Sequence, residues 1–315
     1  MRLLFILVGV FLVGVCLLAA GWILSDTGTD NPGYDSSLLS ATEAHADSFV
    51  GAWGKQDAQL LAEEYEDDAV SILNNLALPV QGKNGLVEHF VAAFSDASPM
   101  KGSTLEVETL KSTDLGGGWS YGDGTFRLIS ADAEVLEDGK WGNIAKSTAG
   151  RLKLVQESAH VVIKETDVLA PPEGDKALDG VAAITITDTE FLAHMDRFKK
   201  AWASNDAEAL TDEFTEDADR IIGSSPDAIR GRSAILQSFK ETFGEGSRFA
   251  GTSIDTTPLG FREIGENHIA AHGTWKIKSS DGAVIARGQW GNLFRRENGT
   301  VKMLMESAGA FVFKE

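Results

Sequence analysis

The sequence predicts an α+β fold built twice, behind one membrane-crossing helix. Three observations carry this. Residues 44–159 match residues 193–308 at a constant offset of 149 without a gap, with about 34 of the 116 positions identical. Within each copy helical periodicity comes first and strand-like alternation follows, the order of an α+β domain. Ahead of both copies, residues 3–24 carry no charge. A repeat of this period is a whole domain rather than a solenoid unit.

At about 1.5 Å per residue the apolar run reaches about 33 Å as a helix, enough to cross a hydrocarbon core of about 30 Å. Arg2 precedes it, and Asp26, Asp30 and Asp35 follow. Positive charge stays inside, so the amino terminus is expected in the cytoplasm and the bulk of this single-pass chain outside it. The alternative is a secreted protein released by cleavage near Ala19, Ala20 and Gly21, although the run exceeds the roughly 7–15 apolar residues of a signal peptide.

Residues 1–25 are therefore assigned to the anchor or signal, 26–37 to a flexible linker rich in Asp, Gly, Thr and Ser, and 38–166 to the first domain. A second linker over 167–184 contains Pro171 and Pro172, which deny helix and strand continuation, and 185–315 form the second domain. Cys16, the only cysteine, lies in the apolar run, so the exported part is held by its cores without disulfides. A formal charge of −19 argues against nucleic acid and anionic lipid as partners of that part. With no His/Asp/Glu cluster at metal-ligand spacing and no glycine-rich phosphate loop, neither metal nor cofactor is expected.

Each domain starts with a helix. Ser40 with Glu43, and Thr187 with Glu190, have capping-box spacing. His45, Phe49, Ala52 and Trp53, matched by His194, Phe198, Ala201 and Trp202, recur on one helical face, which must point inward. Asp57 and Asp206 suit the N-cap of a second helix, worth about 1 kcal/mol. Gly82 and Gly231 open a third, carrying Phe90 and Phe94 or Phe239 and Phe243. Strands are expected over 104–110, 124–130, 140–145 and 152–163, with Gly116–Gly118 in a loop and Asp138-Gly139, Asp281-Gly282 and Asn298-Gly299 as hairpin turns.

An aromatic helix ending in Trp-x-x-x-Asp-Ala, a later Asp-Ala, the Gly231-Arg232-Ser233-Ala234-Ile235 run and a strand holding Trp-Gly-Asn together resemble the SnoaL-like branch of the nuclear transport factor 2-like superfamily. The resemblance spans both copies. It implies two cone-shaped α+β barrels, in each of which three helices close on a strongly curved antiparallel sheet around a pocket. It also implies dimerisation through the sheet, which two linked copies would satisfy as an intramolecular pseudo-dimer.

Steroid isomerases of that fold use a first-helix tyrosine and an aspartate base. Those positions fall at Phe49 and Phe198, and near Leu73 and Ile222, which cannot donate or accept a proton. The remaining polar candidates are His45 with Glu157 and His194 with Glu306, each a potential acid and base pair. The competing reading is structural, with Trp141 or Asn143 holding Glu157 to knit the sheet. Phe49, Trp53, Trp141, Asn143, Phe198, Trp202, Trp290 and Asn292 are expected to line the pockets. Polar residues present in one copy only (His89, Tyr121, His160, Arg220, Arg230, His268 and His272) are expected at the surface. The preferred function is noncatalytic binding of a small apolar molecule or a protein partner. The alternative is a hydrolase, dehydratase or isomerase using a His/Glu pair.

Overall fold

In the first half, helix α1 (Ser36–Gly54) leads through the N-cap Asp57 into α2 (Ala58–Ala62). Strands β1 (Tyr65–Leu73) and β2 (Val80–Gln81) follow, then α3 (Gly82–Ala93). Four long strands complete the half: β3 (Thr104–Gly116), β4 (Trp119–Ile129), β5 (Val135–Thr148) and β6 (Arg151–Val161). The second half repeats the order with α4 (Thr189–Ala203), α5 (Ala207–Asp212), β7 (Phe214–Ile222), β8 (Ile229–Arg230), α6 (Arg232–Thr242), β9 (Ser253–Ile264), β10 (His268–Lys278), β11 (Val284–Glu297) and β12 (Thr300–Val312). This computed structural model describes residues 36–73, 76–163, 178 and 180–313. The apolar leader with Cys16, the first linker to residue 35 and the Pro171-Pro172 break lie outside them. Among the described residues no helix is long and apolar enough to cross a membrane.

Both sheets have six strands in the same order, β2-β1-β6-β5-β4-β3 and β8-β7-β12-β11-β10-β9. Equivalent bonds hold at the offset of 149. The Trp53 indole donates to Ser103 at 3.1 Å and Trp202 to Thr252 at 3.0 Å. The Ser158 amide donates to Asn143 and the Ser307 amide to Asn292, each at 3.0 Å. The expected antiparallel sheet is corrected in one ladder of each half, because β1 runs parallel to β6 and β7 parallel to β12. A strand that leaves through α3 and three further strands before its partner arrives can return in its own direction.

Asp57 and Asp206 cap their helices as expected, accepting from Gln59, Leu60 and Ala209 amides. The capping boxes are corrected. Ser40 lies inside α1, and the cap of α4 is Asp188, which accepts from Glu190 and Phe191 amides. Asp138-Gly139 lies within β5, not in a turn. Glycine is required there because a Cβ would press on Phe126 at 2.7 Å.

The apolar faces of the three helices and the inner sheet form one core per half, centred on Trp53, Tyr65 and Phe90 in the first and on Trp202, Phe214 and Phe239 in the second. A third core lies between the outer faces, combining Tyr121 and Ile144 with Ile221, Ala270 and Met305. The described residues of both halves thus belong to one compact unit. Trp-Gly-Asn serves both sides of its strand, since residues two apart share a face and the one between points away. Trp141 and Asn143 face their own half, while Gly142 admits Ile221 of the other half, whose Cδ1 would lie 2.7 Å from an added Cβ.

Candidate functional site

Each half holds a partly open cavity between its first helix and the inner sheet, of about 140 Å³ in the first and 160 Å³ in the second. Helical spacing brings His45, Phe49 and Trp53 to the first cavity, and strand alternation brings Trp141 with Asn143 and Glu157 with Ala159. His194, Phe198, Trp202, Trp290, Asn292 and Glu306 occupy the equivalent lining of the second. All twelve candidate residues of the sequence therefore border a cavity.

The expected acid–base pairs do not form. His45 turns its Nε2 to Glu64, 3.3 Å from the backbone oxygen and 3.5 Å from the carboxylate. His194 Nδ1 lies 2.7 Å from Glu213 Oε2, close but off the axis of an N–H bond. Glu64 and Glu213, at the corner where the second helix becomes a strand, are further held, Glu64 by Ser48 and Arg151 and Glu213 by Nε and Nη2 of Arg197. These histidines tie the first helix to that corner. Burial lowers the pKa of His45, with Arg151 adding to the effect against its bond to Glu64.

Glu157 is held from its own sheet rather than by Trp141 or Asn143. Tyr65 donates to its Oε2 at 2.8 Å, and Ser71 donates to the same oxygen. Burial raises its carboxyl against these two bonds, and burial beside Glu157 pushes the Tyr65 phenol well above its ordinary range. In the second half Phe214 stands at the Tyr65 position and Arg220 at the Ser71 position. Arg220 forms an ion pair with Glu306, donates to Ser238 at 2.7 Å and lies over the Phe239 ring at 4.1 Å. One cavity thus ends in a hydroxyl-bonded carboxyl and the other in a guanidinium–carboxylate pair.

Of the single-copy polar residues expected at the surface, Arg230 is exposed and His268 half-buried, but the others are drawn inward. Tyr121, His160, Arg220 and His272 are all buried, and His89 lines the first cavity. Arg220 serves the second cavity, whereas Tyr121 and Arg230 bond across the halves to Asp219 and Asp123. A sequence does not reveal which outer sheet face a second domain covers. Sequence reasoning also missed Tyr65, Ser71 and the Glu64/Glu213 pair. The last was visible as an identical position of the repeat, while the Tyr65/Phe214 exchange hid a lost hydroxyl.

No protein-family profile matches the chain, and no curated protein matches it in sequence. Among solved structures it is similar to a nuclear transport factor 2-like protein of unknown function from Pseudomonas putida, at 17% identity over 42% of this chain and 94% of that one, with a TM-score of 0.37. A ketosteroid isomerase-like protein from Erwinia carotovora matches at 15% identity over 42% and 100%, with a TM-score of 0.34. A domain of unknown function with a cystatin-like fold from Nostoc punctiforme matches at 15% identity over 42% and 82%, with a TM-score of 0.37.

Proposed function

We propose that the chain is a membrane-tethered, extracytoplasmic tandem SnoaL-like protein whose two cone-shaped domains act as an intramolecular dimer and bind small apolar molecules without chemistry. The observation that carries this reading is that both cavities are apolar while their buried carboxylates are already satisfied, Glu157 by Tyr65 and Ser71 and Glu306 by Arg220. The hydrolase, dehydratase or isomerase reading loses its dyad, because His45 and His194 face Glu64 and Glu213. An apolar cavity of about 150 Å³ accepts a molecule the size of benzene. A single aromatic ring or a short aliphatic chain therefore fits.

Fluorobenzene followed by ¹⁹F line broadening tests this. Ala159 and Ala308 border the two cavities at equivalent positions. Ala159→Phe and Ala308→Phe should each remove one of two sites, and wild-type binding in both variants overturns the proposal. Carbonate washing of membranes tests the tether, which release of intact chain into the soluble fraction would refute.

A further inference from the structure

Two regions related by the 149-residue offset flank the core between the halves, and they differ in content. In one, Lys111, Tyr121 and Asp123 of the first half meet Asp219 and Arg230 of the second. Lys111 contacts Asp219 at 2.6 Å, and Arg230 bridges Asp123 at 2.6 Å and Asp219 at 3.1 Å. Their equivalents are Gly260, Ala270, His272, Val70 and Gln81. All five border a cavity of about 180 Å³ between β1 and β6 on one side and β9 and β10 on the other. Space filled by a phenol and two carboxylates in the first region is open in the second.

The open region is not apolar. Gln156 and His272 line it with exposures of 2% and 8%, and the Nε2 atom of each has no hydrogen-bond partner among the described residues. The Gln156 amide nitrogen can only donate. Arg262 stands at the rim, paired with Asp68. A buried donor without an acceptor is destabilising, so the region is short of acceptors. Those it would have by symmetry are gone, because Asp123 and Asp219 are replaced by His272 and Val70. Water alone would need far less room, since about 10–15 Å³ suffices for one molecule.

We propose that this interdomain cavity binds a small organic carboxylate, of the size of propionate, whose oxygens accept from Gln156 and His272 while its short chain lies over Val70 and Ala270. The site is separate from the two apolar cavities and independent of what they hold.

Sodium propionate titrated into the full-length chain at constant ionic strength provides the test, read by calorimetry and by the ¹⁵N resonances of the His272 ring. Saturable binding is expected, weakened at least tenfold by Gln156→Leu and abolished by Ala270→Leu, with Ala159→Phe and Ala308→Phe unchanged. Propylammonium, similar in size and opposite in charge, should not bind. Unaltered affinity in both interdomain variants, or equal binding of propylammonium, overturns the proposal. So does the absence of saturable binding, which would leave a cavity holding only water. Should Gln156→Leu fail to fold, His272 resonances of the wild type that stay fixed on adding propionate refute it independently.

Discussion

Arg230 and Asp123 are 107 positions apart in sequence, yet two nitrogens of the guanidinium reach the two carboxylate oxygens at 2.6 and 2.9 Å, joining one half to the other. Asp123 and its neighbour Asp219 are each 1% exposed. Burial raises the Asp123 carboxyl against its bonds to Arg230. Removing one partner of a buried ion pair costs about 3–5 kcal/mol, whereas replacing the whole group by neutral residues is often neutral. Arg230→Met should therefore lose about that much in urea denaturation. The quadruple variant Lys111→Met, Asp123→Asn, Asp219→Asn, Arg230→Met should recover most of it, because Lys111 also pairs with Asp219. A quadruple variant as unstable as the single one would show that the network is not a closed electrostatic unit.

Contact between the sheets sets a second expectation. A Cβ on Gly142 would lie 2.7 Å from Ile221 Cδ1 and 3.2 Å from Met305 Sδ. Gly142→Ala should cost about 1–3 kcal/mol by overpacking. Ile221→Val removes the clashing methyl, so the double variant should be more stable than the sum of the two single losses. Strict additivity in that cycle would mean that the two positions do not touch.

The repeat made much of this fold legible. A constant offset with identical Trp-Gly-Asn and Asp-Ala pairs places both helices and sheets in register, and helical period gives the inward face of the first helix, while the pocket itself comes from the family resemblance. Partners were harder to read, because hydrogen bonds depend on which strand lies next to which. Glu157 at the end of the chain's first half meets Ser71, 86 positions earlier, only because β1 lies parallel to β6. Asp138-Gly139 misled because a glycine under an aromatic ring and a glycine in a turn carry the same letters.

Acid sensitivity should come from two buried histidines. Burial pushes His160 down to about 3 and, with Arg262, His272 down to about 4. Both lie below the ordinary value of about 6.5, so the unfolded chain takes up protons first. The stability that each contributes is present above pH 6.5 and is lost as pH falls toward its folded value. Between pH 6.5 and 5 the loss is about 2 kcal/mol per histidine, from 1.5 pH units at about 1.36 kcal/mol each. Urea denaturation at pH 7.5 and pH 5 should show His160→Asn losing about 2 kcal/mol less than the wild type. An equal loss in the two proteins would rule out a neutral His160 in the fold.

The ends of the two apolar cavities should be exchangeable, because they solve one problem in two ways. Glu157 is satisfied by the Tyr65 and Ser71 hydroxyls, and Glu306 by the Arg220 guanidinium, with Phe214 lacking the hydroxyl of its counterpart. Arg220→Ser alone should cost about 3–5 kcal/mol, since it strips a buried carboxylate of its cation and the phenyl ring offers nothing in return. Adding Phe214→Tyr rebuilds the first half's arrangement around Glu306, and a hydrogen bond to a charged group is worth about 1.5–3 kcal/mol. The double variant should recover that amount over Arg220→Ser, and Tyr65→Phe should lose it in the first half. Urea midpoints of the four proteins decide the matter. If Phe214→Tyr gives no recovery, the halves do not share a common geometry at these positions, whatever their strand order.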